Sequence, residues 1–78
     1  MLEALHLSQD YTLIEVKTPP GLVGKSIDET DGHDVIILLI LRGGELIVNP
    51  EPTTCFEAND ILVLIGEKRH VAEFSNLQ

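Results

Sequence analysis

Arg42 is the side chain in this sequence whose type and position best suit it to hold an anion. It is the only lysine or arginine between Lys25 and Lys68, and it stands where the apolar run Val35–Leu41 gives way to Gly43-Gly44. A guanidinium there can grip a ligand's phosphate or carboxylate through two parallel bonds. It can equally close a salt bridge to Glu45 or another acid at the end of a hairpin. A second cluster is acidic. Asp28, Glu29, Asp31, His33 and Asp34 place four carboxylates and an imidazole within seven residues. Hard divalent cations favour such oxygen-rich loops, which makes Asp28, Asp31 and Asp34 weak candidate ligands. Thr30 breaks the alternate spacing that a calcium loop needs, so a solvated acidic loop is the plainer reading.

Other chemistry finds little support. Leu22-Val23-Gly24-Lys25-Ser26 resembles the end of a phosphate-binding loop, but Pro19 stands where that loop needs its first glycine. Helix entry is the better account, with Ser26 as N-cap and Glu29 at capping-box spacing. His6, His33 and His70 lie far apart and form no zinc pattern with Cys55. Cys55 reads as a small packed apolar residue, and as the only cysteine it excludes an internal disulfide. No nucleophile has a base at a telling spacing. The chain is therefore expected not to be an enzyme.

The elements that must position Arg42 follow from apolar patterning. Val35–Leu41 is seven apolar residues without alternation, the pattern of a strand covered on both faces. Gly43-Gly44 supplies the two positive-φ residues of a tight hairpin, Leu46–Val48 run back, and Pro50 ends the return. Upstream, residues 1–9 read as an amphipathic or frayed lead-in. Tyr11–Lys17 alternates as a half-buried strand, stopped by Pro19-Pro20-Gly21. Downstream, Phe56 is a candidate core residue and Asn59-Asp60 a turn with Asn59 left-handed. Ile61–Ile65 is a second doubly covered strand, broken by Gly66. Val71, Phe74 and Leu77 line one stripe of a closing helix. The order predicts an α+β fold, β-α-β-β-β-α, with a small, mostly antiparallel sheet and residues 10–78 as one domain.

Totals narrow the setting. Seventy-eight residues make one small domain, which buries only ~60 to 65% of its unfolded surface. A strand apolar on both sides then calls for a second layer, such as another copy of the chain. Thirteen acidic residues against five basic give a net charge of -8, a field that repels nucleic acid and anionic lipid. The longest apolar run, seven residues, falls far short of the ~20 that cross a bilayer. No basic leader precedes a signal-like stretch, so a soluble fragment is expected.

Four short patterns occur in order: Gly24-Lys25-Ser26-Ile27, an apolar strand ending in Arg42-Gly43, Ile47-x-x-Pro50, and Asn59-Asp60-x-Leu62-x-x-x-Gly66. Together they resemble the C-terminal lobe of the regulator-of-potassium-conductance domain, or TrkA C-terminal domain, over roughly Tyr11 to Leu77. The resemblance implies a regulatory, non-catalytic, homodimeric lobe of a potassium channel or cation transport system. Such a lobe lies behind a Rossmann-type lobe on the cytoplasmic side, attached to a membrane channel or transporter subunit. It also implies a possible ligand at the dimer interface, a cyclic dinucleotide or a divalent cation. The positions matching the dinucleotide mode are Leu39, Leu41, Arg42, Ile47, Asn49 and Pro50. The alternative within the same resemblance is a purely structural dimerisation module of a membrane transporter. Two departures stand out: Asn59 replaces a glycine, and the segment from Ser26 to the apolar strand is short.

Overall fold

The computed structural model describes residues 2–78, so Met1, the first residue of the expected lead-in, lies outside them. Five strands form one sheet: β1 (Glu3–His6), β2 (Tyr11–Lys17), β3 (Ile36–Arg42), β4 (Glu45–Val48) and β5 (Ile61–Glu67). Their spatial order is β1-β2-β5-β3-β4. All four pairings are antiparallel. Helix α1 (Lys68–Ser75) closes the chain, and short 3₁₀ turns at Pro20–Leu22 and Ile27–His33 cross from β2 to β3.

The expected small antiparallel sheet with a C-terminal helix is present. The short helix after the Tyr11–Lys17 strand takes 3₁₀ form, with the Glu29 half of its capping box made, Ser26 N–H donating to Glu29 Oε2 at 2.7 Å. Two elements differ from the sequence reading. Leu2–Leu7 holds an edge strand rather than a frayed lead-in, because Glu3–His6 can register against Thr12–Glu15. Gly66 does not break its strand. It sits inside β5, and a Cβ there would meet Val35 Cγ1 at 3.2 Å, Asp34 O at 3.3 Å and Val71 Cγ1 at 3.4 Å. Glycine is needed because the chain entering β3 and the helix both press close.

The core lies on one face of the sheet. Ile14, Val16, Ile37, Ile40, Leu62 and Leu64 pack there under Leu22, Phe56, Val71 and Phe74. The stripe expected in the closing helix is the one buried: Val71 and Phe74 fully, Leu77 in part. The Gly43-Gly44 turn has φ of 54° and 84°, the double positive that a two-residue hairpin between right-twisted strands demands.

β3 does not alternate simply, since its register against β5 slips between Ile37 and Leu39. Leu38 is the extra residue of this bulge, and its carbonyl accepts the Asn49 N–H at 2.8 Å. Directly paired residues share a face, so the bulge sends Ile36, Leu39 and Leu41 to the side opposite the core. There Leu39 joins Val63 and Val48, and Leu41 joins Ile61 and Leu46. Among the described residues no element covers that side: Ile36 is 63% exposed and Val48 65%. The second layer expected for a doubly apolar strand is therefore not supplied by the chain itself. The β1 and β2 end of the same side is more polar, carrying Glu3, Glu15 and Lys17.

Candidate functional site: the Arg42–Asp60 clamp and the open sheet face

Arg42 ends β3 and points across the core end of the sheet to Asp60, the residue before β5. Its Nε–H donates to Asp60 Oδ1 at 2.8 Å, and Nη2 to Asp60 Oδ2 at 2.7 Å, a two-pronged fork. Nη2 also donates to the Cys55 carbonyl at 2.8 Å. Nη1 lies 3.0 Å from Glu57 Oε2. Asp60 is 1% exposed, and Glu57 N–H donates to its Oδ2 at 2.9 Å. A buried carboxylate needs such partners to stay ionised. The bonds from Arg42 hold the Asp60 carboxyl below its usual range, and Asp60 in turn raises Arg42. Of the two readings left open by the sequence, the salt bridge to an acid is the one formed, and the acid is Asp60 rather than the cross-strand Glu45.

Asp60 and Glu57 were missed as site residues because an Asn-Asp pair signals a turn before it signals a binding partner. The available cue was a lone arginine at one strand end with an aspartate opening the next apolar run. Asn59 is a further correction. It does not take a positive φ; among the described non-glycine residues only Asp34 (56°) and Asn49 (49°) do. The turn closes instead by Asp60 N–H bonding to the Glu57 carbonyl at 3.1 Å, with the Asp60 side chain reaching back to Glu57 N–H. That local ring needs no left-handed residue.

Asn49 takes the role that Asn59 was expected to fill. At φ 49° it turns the chain out of β4 while its N–H holds the bulge carbonyl of Leu38. Asn49→Gly is expected to be close to neutral in chemical denaturation. Asn49→Val should cost roughly 1–2 kcal/mol, since a β-branched residue is strained in that conformation. Equal midpoints for the two variants would contradict this.

The other candidates do not all converge. Leu39 and Leu41 lie on the open face. Ile47 pairs with Ile40 and packs against the core, on the opposite side. Asn49 and Pro50 follow β4 at the edge of the sheet. Arg42 is turned inward to Asp60. Asp28, Asp31 and Asp34 do not meet: no group of three metal-ligating side chains forms among the described residues. Asp28 bonds the Ser26 hydroxyl, and Asp34 ends the 3₁₀ segment. Cys55 is exposed rather than packed. It lies in an extended connector whose bridge to Ser26 directs Phe56, its neighbour, into the core.

Comparison with known proteins places this geometry. The model of the TrkA-C domain family matches residues 11–78. The chain belongs to the TrkA-C domain family. This TrkA-C domain is 31% identical over 77 residues to the Ktr system potassium uptake protein C of Bacillus subtilis, covering 95% of this chain and 35% of that protein. It is 28% identical over 79 residues to the Ktr system potassium uptake protein A of the same organism, 97% and 36% covered. The domain thus spans about a third of the length of these relatives. Among solved structures, it resembles the RCK C domain of the potassium transport protein KtrA in complex with cyclic diadenosine monophosphate. That likeness has a TM-score of 0.77 and 30% identity, over 88% of this chain and 85% of that one. It also resembles part of the GsuK channel bound to NAD, with a TM-score of 0.70 and 26% identity, over 87% of this chain and 13% of that one.

Proposed function

We propose that this TrkA-C domain is a regulatory lobe of a potassium transport system, without catalytic activity, that pairs with a second copy of itself and takes a cyclic dinucleotide between the copies. The observation that carries the pairing is the open apolar side of β3, β4 and β5, where Ile36, Leu41, Leu46 and Val48 stand exposed. An apolar patch of that kind marks an interface, and an antiparallel sheet face suits a two-fold contact. The ligand reading rests on the likeness to the cyclic-dinucleotide-bound KtrA domain. Arg42, at the hairpin end of β3, and Asn49 and Pro50, at the far end of β4, are its proposed polar contacts, with Leu39 and Leu41 as the apolar ones. In a full-length transport protein, such a lobe would sit on the cytoplasmic side behind a Rossmann-type lobe and transmit ligand occupancy to the membrane subunit.

A second reading has its own support. Most of the Arg42 guanidinium is already committed inside the domain, which favours a structural dimerisation module with no ligand. Two measurements separate the readings. Sedimentation at micromolar concentration is expected to give twice the 8.6 kDa chain mass; a monomer alone overturns both. Cyclic diadenosine monophosphate is expected to raise the melting temperature in a dose-dependent way. No shift up to millimolar ligand leaves the structural module.

A further inference from the structure

The guanidinium of Arg42 carries five N–H donors. The one on Nε and the two on Nη2 go to Asp60 Oδ1, Asp60 Oδ2 and the Cys55 carbonyl. The two on Nη1 face a single partner, Glu57 Oε2, at 3.0 Å. The two acids that meet this arginine differ sharply. Asp60 is buried and held on two sides, whereas the Glu57 side chain is 63% exposed. The Glu57 backbone is nevertheless fixed, because its N–H bonds to Asp60 and its carbonyl closes the turn. Its carboxylate is thus an exposed anion on a short, anchored tether.

Both acids and Arg42 line one open cleft of ≈ 420 Å³, together with Gly43, Ala58 and Asn59. Inside it, a single cation is outnumbered by two carboxylates. The edge of the guanidinium left for an external anion is Nη1, and Glu57 already stands against it. Two anions cannot share that donor pair without mutual repulsion. We propose that Glu57 is a built-in competitor that occupies the free edge of Arg42 and sets its affinity for an anionic ligand. This deepens the dinucleotide-binding reading above and rests on it. An exposed pair of this kind is weak enough to be displaced by a phosphate oxygen, which makes Glu57 a threshold rather than a block. In a dimer the competitor is present twice.

The test is calorimetric titration of the whole chain with cyclic diadenosine monophosphate, comparing wild type, Glu57→Gln and Glu45→Gln. Glu45 is the charge-matched control: it pairs across the strands from Arg42 but makes no hydrogen bond or ion pair to it within contact distance. Glu57→Gln is expected to tighten binding about tenfold, as two copies of a weak surface pair are removed together. Glu45→Gln should stay within about twofold, the effect of a neighbouring but solvated charge that makes no direct pair with Arg42. Equal, measurable affinity of wild type and Glu57→Gln overturns the competitor and leaves the ligand reading standing. Weaker binding of Glu57→Gln also overturns it, by making Glu57 a ligand contact. Equal gains in the two variants reduce the effect to net charge and overturn it as well. No heat with any of the three proteins removes the competitor and the ligand reading together.

Discussion

Arg42→Ala is expected to destabilise the domain by roughly 2–4 kcal/mol, read from the denaturation midpoint, whether or not any ligand binds. The reason is the burial of its partner. Asp60 is 1% exposed and keeps one other hydrogen bond, from Glu57 N–H. Removing the guanidinium leaves a carboxylate out of water with two of its three hydrogen bonds gone, a much larger loss than that of a surface ion pair. A domain of this size has on the order of 4–12 kcal/mol in all, so the variant should be visibly marginal. Arg42→Lys should recover only part, because an ammonium cannot make both prongs of the fork. The same pair gives a pH signature. Asp60 has its folded pKa lowered, chiefly by the Arg42 hydrogen bonds. Its contribution is therefore present in full above the unfolded carboxylate value and declines as pH falls from there toward the lower folded value. Asp60→Asn should be less stable than wild type near neutrality and lose less stability between about pH 5 and pH 2. Parallel pH profiles for the two proteins would contradict the clamp.

Leu41→Asp should abolish self-association while leaving the isolated fold close to intact. Leu41 lies on the open side beside Ile61 and Leu46, 44% exposed in the single chain. An aspartate there remains solvated in the monomer. In a two-fold contact both copies bring the charge into an apolar layer, so the dimer should weaken by about a hundredfold or more. The expected record is a single-chain mass in sedimentation and a melting temperature that no longer depends on concentration. A Leu41→Asp protein that still sediments as a dimer would place the interface elsewhere.

Local chemistry wrote several elements into the sequence directly. Gly43-Gly44 can hardly be anything but a hairpin, because two successive positive φ values are costly for other residues. Val71 and Phe74 share a helix face by spacing alone, and the apolar runs of β3 and β5 announce strands. The four ordered patterns carried the family. Other features depended on which residues meet across the sheet, and spacing is silent on that. Glu3–His6 is a strand only because β2 offers it an edge. Gly66 looks like a breaker until Val35 and Val71 are seen to crowd it. Ile47 and Leu41 seem equivalent, yet Leu41 pairs with Leu46 and Ile47 with Ile40, so the pleat sends them to opposite faces. On paper Arg42 could serve a ligand or any acid near the hairpin end. Asp60, eighteen positions away, turns it into a clamp because folding buries the carboxylate and leaves the guanidinium as its principal counter-charge within reach.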